Sequence, residues 1–104
     1  MYIARFSYDV LPVNRQAAIT LIRREAVAAL RNGRAARLLT PLTRPHGGAA
    51  LQFEIELASL DDLEQFRREG VGDDDQTREW MRQFDEILLS PPLVEIFRID
   101  RQDG

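Results

Sequence analysis

Residues 50–66 read ALQFEIELASLDDLEQF. The first half alternates. Leu51, Phe53, Ile55 and Leu57 fall on one side of an extended chain, and Gln52, Glu54 and Glu56 on the other, as a strand with one buried face requires. Ser59 then offers a helix cap, with Asp61 and Asp62 in the first turn, where carboxylates favour the helix dipole. Leu60, Leu63 and Phe66 supply the apolar stripe of that helix. The stretch is therefore a strand leading into a helix, and its three polar strand residues must face something other than the core.

Upstream, YIARFSYDV at 2–10 alternates in the same way. Tyr2, Ala4, Phe6 and Tyr8 share one side; Ile3, Arg5, Ser7 and Asp9 share the other. Pro12 ends the strand, and Asn14 is placed to cap a helix over 15–32. Ala18, Ile19, Ile22, Ala26, Ala29 and Leu30 form its stripe, and Asn32-Gly33 stops it. Residues 35–43 give a second strand. Pro41 has no N–H for a ladder, so this strand belongs at a sheet edge. RPHGG at 44–48 is a hairpin connection.

Downstream of residue 66, Gly70-Val71-Gly72 interrupts the helix and Asp73–Asp75 restart it. Trp80, Met81, Phe84, Ile87 and Leu88 continue a buried stripe until Ser90-Pro91-Pro92. LVEIFRI at 93–99 is the last strand. The order β-α-β-β-α-β, with its second helix broken, is that of an α+β ferredoxin-like fold. Its antiparallel sheet runs 4-1-3-2, which puts the second strand at the edge where Pro41 needs it. Both helical segments cover one face. The chain of 104 residues is expected to form a single domain over 1–104.

The uncovered face should carry Gln52, Glu54 and Glu56 beside Ile3, Arg5, Ser7 and Asp9. The last strand adds either Glu95 with Leu93, Phe97 and Ile99, or Arg98 with Val94 and Ile96. Either choice leaves large apolar side chains there, and monomers seldom leave such a patch wet. A second copy packed sheet against sheet is the simplest cover, so homodimerisation is expected.

Bulk composition narrows the function. The net charge is -3 and the pI about 5.1, which argues against nucleic acid as partner. All 14 basic residues are arginines, scattered as a GC-rich coding bias would leave them. With no cysteine, disulfides and thiolate chemistry are excluded. There is no secretory h-region and no run of the roughly 20 apolar residues that spans a bilayer, so a soluble cytoplasmic protein without a membrane partner is expected. No nucleophile elbow, phosphate loop, dinucleotide fingerprint or HExxH is present.

Five residues are candidates for chemistry. Arg5, Glu54, Glu56 and Glu95 gather on the uncovered face. Neighbouring carboxylates in an enclosed space raise one another's pKa, and an arginine could orient a carboxylate or enolate. The plainer reading of the group is a cross-strand or interface ion-pair network. His46, the only histidine, could act as a base if its hairpin folds over a cavity; otherwise it is a solvated turn residue. One histidine and no cysteine give no transition-metal site. Tyr2, Tyr8, Trp80 and Phe84 read first as core aromatics. Asp73–Asp75 lack the alternating ligands of a calcium loop and read as a helix-start cap.

In layout the chain resembles the dimeric α/β barrels of ferredoxin-like fold, which include antibiotic-biosynthesis monooxygenase-like and NIPSNAP-like proteins. The likeness rests on YIARFSYDVLP as first strand, on ALQFEIELASLDDLEQF, and on the broken second helix running into SPPLVEIFRI. It implies a small apolar or aromatic ligand held between sheet and helices or between two sheets. It also implies cofactor-independent oxygenase or isomerase chemistry, with no cofactor or metal. The haem-degrading members pair a first-strand asparagine with a tryptophan and with a histidine on the second helix. Here Asn14 lies beyond the first strand and Trp80 has no histidine on its helix, so the likeness does not extend to haem. A non-catalytic dimerisation module of NIPSNAP-like kind is the alternative; a ligand-sensing domain of a regulator is a weaker third.

Overall fold

A computed structural model describes residues 1–43 and 49–100; His46 lies outside them. The chain runs β1 (Tyr2–Tyr8), a 3-10 turn (Pro12–Asn14), α1 (Arg15–Arg31), β2 (Ala36–Leu39), β3 (Leu51–Leu57), α2 (Asp61–Glu69), α3 (Asp74–Ile87) and β4 (Leu93–Arg98). Four antiparallel strands are ordered β2-β3-β1-β4, the ferredoxin-like arrangement expected. No helix among the described residues is long and apolar enough to cross a membrane.

The core forms where the alternation places it. Ala4, Phe6 and Tyr8 of β1 and Leu51, Phe53, Ile55 and Leu57 of β3 are buried beneath the helices. Phe6 and Phe53 are cross-strand partners, and the Phe66 ring from α2 lies within 6.4 Å of both. Such aromatic pairs add directional packing to plain burial. Arg34, just before β2, ties α2 down by bonding Asp62 at 2.7 Å and reaching Glu69 as well. Hydrogen bonding to Arg34 holds both carboxyls below their usual range.

Local expectations shift at several points. The first strand stops at Tyr8, and Val10 makes only an isolated bridge to Leu88. Asn14 precedes α1 but makes no capping bond with its side chain, because the 3-10 turn led by Pro12 delivers the chain to the helix instead. The second strand is shorter than expected, and Pro41 lies past its end; β2 is nonetheless the edge strand. The N-cap position of α2 is Leu60, without a side-chain capping bond, and Ser59 one residue earlier accepts at its Oγ from the Asp62 N–H at 3.3 Å. Asp73 and Gln76 form a reciprocal capping box at the start of α3. Gly70 separates α2 from α3 with φ of 62°, and a Cβ there would collide with Thr77, so only glycine suits the break.

Two stripes are rotated from their expected positions. On α1 the buried set is Ala18, Leu21, Ile22, Glu25, Ala28 and Ala29, while Leu30 is exposed. A carboxylate therefore points into the protein. On α3 only Phe84 is fully buried, and Met81 is exposed. The stripe of α3 does not seal onto the sheet, and the space it leaves is the cavity described next.

Candidate functional site

Burial gives α1 and β1 an unusual meeting point. Tyr8 sits on the core side of β1, and Glu25 occupies the sheet-facing stripe of α1, one turn beyond Ile22. The Tyr8 hydroxyl donates to Glu25 Oε2 at 3.1 Å. Burying an ionised carboxylate is costly unless it is paired or neutralised. Among the described residues only a phenol is offered here, and burial pushes the Glu25 carboxyl up to about 7, against the downward pull of the Tyr8 hydrogen bond. Burial, then the neighbouring Glu25 charge, pushes the Tyr8 phenol far up as well, so Tyr8 stays a donor throughout the physiological range.

This pair lies on the wall of a cavity of about 430 Å³ between the sheet and the helical layer. Phe6 and Val94 form the floor, Phe66 one side, and Trp80 and Phe84 the roof. Tyr8 and Phe84 stack at 4.7 Å, and Trp80 meets Phe84 edge-on at 5.3 Å. The indole N–H donates to the Leu21 carbonyl at 2.8 Å, which fixes the ring and ties α3 to α1. Arg67, Thr77 and Asp85 add polar groups to an otherwise apolar lining. The volume falls in the roughly 300–1,000 Å³ range of small-molecule sites.

The uncovered face is organised differently. Register places Arg37, Glu54, Arg5 and Glu95 side by side across all four strands, a row of alternating charge. It also decides the last strand: Leu93, Glu95 and Phe97 share the open face with Ser7, Arg5 and Ile3. Glu54 is only 3% exposed, and accepts from Arg5 at 2.6 Å and Arg37 at 2.7 Å. Burial alone would raise its pKa, but hydrogen bonds from Arg37 and Arg5 prevail and hold it below the usual carboxylate range. A carboxylate clamped in this way is a poor proton acceptor at neutral pH. The Arg5 guanidinium also lies 4.9 Å over the Phe97 ring. Glu56 is exposed beyond the row, paired across the ladder with Ile3, and Glu95 is half-buried opposite Arg5.

No protein-family model matches the sequence, and no curated protein is similar to it. Solved structures are similar in fold. An antibiotic biosynthesis monooxygenase candidate from Bordetella bronchiseptica superposes with a TM-score of 0.70 at 14% identity, covering 96% of this chain and 97% of its own. Rv0793 from Mycobacterium tuberculosis gives 0.65 at 19%, covering 99% and 96%. A conserved protein from Methanosarcina mazei Go1 gives 0.69 at 17%, covering 95% and 92%. The chain shares the ferredoxin-like fold of these structures.

Within this ferredoxin-like fold, four of the five residues singled out from sequence lie on the open face, away from the cavity. The structure brings Arg5 and Glu54 into contact and sets Glu95 beside them, with Glu56 one row on. Sequence reasoning passed over Glu25. Its signal was present, as a lone charge three residues after Ile22 and four before Ala29 on an apolar stripe.

Proposed function

We propose that this protein is a homodimer that takes a small apolar or aromatic compound into the cavity between sheet and helices. We infer that it acts there as a cofactor-independent oxygenase or isomerase. The observation that carries the reading is the cavity itself, walled by Phe6, Tyr8, Phe66, Trp80 and Phe84. Flat apolar guests suit such walls by stacking. Without a cofactor, an oxygenase of this kind depends on a substrate that becomes electron-rich on losing a proton.

The second copy is proposed to cover the open face. Exposed Leu93 and Phe97 flank the charged row, and a two-fold contact would bury both sets at once. Arg5, Glu54, Glu56 and Glu95 then serve the interface. The same face favours a second reading, a non-catalytic dimerisation module of NIPSNAP-like kind, which needs no guest in the cavity.

Calorimetric titration with β-naphthol separates the two. The ligand-binding reading expects saturable binding, weakened at least tenfold by Val94→Trp, whose indole would occupy the floor of the cavity. Absence of binding, or equal affinity in the variant, would favour the module.

A further inference from the structure

The buried Glu25 has no evident structural task that a neutral residue would not perform better. Its one hydrogen-bond partner among the described residues is Tyr8, at 3.1 Å, and a glutamine could accept the same bond. A leucine would avoid burying a polar group at all. The carboxyl instead lies on the wall of an apolar cavity, with the lone pairs that Tyr8 does not use still available to a guest. The charged and titratable groups facing that space from the packed elements are Tyr8 from β1, Arg67 from α2 and Asp85 from α3; β4 contributes only Val94.

We propose that Glu25 is a catalytic base of the cavity, that Tyr8 positions it, and that the substrate class is a flat apolar carbonyl compound with an acidic C–H next to the carbonyl. This rests on the reading of the cavity as a ligand site. The substrate C–H bond breaks, its proton goes to a carboxylate oxygen of Glu25, and its electron pair moves into the carbonyl as an enolate. The carboxyl becomes neutral, the form that its buried site favours. Where the compound carries a carbon–carbon double bond β,γ to the carbonyl, the enolate is a dienolate, and return of the proton from Glu25 to its γ carbon completes an isomerisation in which nothing is oxidised or reduced. A base whose ordinary value of 4.5 is pushed up to about 7 is half-ionised at neutral pH and far stronger than a solvated glutamate. Tyr8 holds the carboxyl against the sheet by its hydroxyl, while its ring is fixed by stacking on Phe84.

The test uses β-tetralone in deuterium oxide, with exchange of its acidic C–H followed by proton NMR and its affinity measured by calorimetry. Wild type is expected to accelerate exchange, with a rate that rises with pH to a plateau above a midpoint near 7. Glu25→Gln, which keeps shape and the Tyr8 bond, should lose roughly 100-fold or more while affinity changes less than about threefold. Tyr8→Phe should move the midpoint upward, since the bond that pulls the Glu25 value down is gone. Wild-type rates in Glu25→Gln, or tight binding of β-tetralone with no acceleration by wild type, would overturn the assignment and leave the ligand site standing. Failure of β-tetralone to bind wild type would remove the ligand site and the assignment together.

Discussion

Glu25→Gln should be more stable than wild type at pH 8 by roughly 2–3 kcal/mol and nearly equal to it at pH 4. The sign follows from the direction of the shift. The folded-state value of Glu25 is raised, from an ordinary 4.5 to about 7. The folded protein therefore holds the proton more tightly than the unfolded chain does. Stability from this group is complete below about pH 4.5 and is lost as pH rises through about 7. The full span corresponds to roughly 3 kcal/mol. The amide never ionises and so escapes this loss. In a chain of this length the gain would raise the melting temperature by about 10 °C or more. Glu54, Asp62 and Glu69 have depressed values and act in the opposite sense. Their stabilisation is present above the ordinary carboxylate range and fades as pH falls. Both proteins share it, so the difference between them isolates Glu25. Thermal melts of the two at pH 4 and pH 8 decide the matter. A difference independent of pH would mean that Glu25 is not buried as an uncompensated acid. Gain of stability with loss of exchange activity in one substitution would mark a group retained for chemistry.

Phe97→Asp should convert the proposed dimer to a monomer without unfolding it. Phe97 is 40% exposed on the open face of β4, and its ring lies under the Arg5 guanidinium. In a lone chain an aspartate there meets water and a neighbouring cation, so the fold should lose little. In a sheet-to-sheet dimer the same carboxylate would be taken out of water. A two-fold contact repeats every substitution, once from each copy. At roughly 2 kcal/mol per copy for burying a poorly compensated polar group, dimer dissociation should strengthen by about a thousandfold. Sedimentation velocity at micromolar concentration reads this directly. A monomeric wild type, or a Phe97→Asp protein that stays dimeric, would show that this face meets no second copy.

The fold was legible because the signals that define it are local. Alternation in β1 and β3 names the buried sides; the edge position of β2 was expected from Pro41, which lies past the strand's end, and the β-α-β-β-α-β order gives the same place. The stops at Asn32-Gly33 and Ser90-Pro91-Pro92 set the element count. Which side of β4 faces out was not legible, since Leu93, Phe97, Val94 and Ile96 make both sides apolar. Pairing of Arg5 with Glu95 settled it. The open-face group could be gathered from sequence because strand neighbours follow from topology. The cavity could not, because a space is not a residue pattern. It arises where α3 stands off the sheet and leaves Met81 exposed instead of packed. Glu25 and Tyr8 lie 17 residues apart on different layers, and nothing in the spacing of either element announces their bond. Reading the α1 stripe by its apolar members alone turned the helix slightly and left Glu25 outside it.

The most direct trial of the account is a titration of the isotopically labelled protein with β-naphthol, followed by amide and aromatic NMR shifts. Saturable shifts gathered at Tyr8, Glu25, Trp80 and Phe84 are the predicted result. Shifts gathered instead at Arg5, Glu54 and Glu95, or none at all, would contradict the claim that the space between sheet and helices is where this protein meets its ligand.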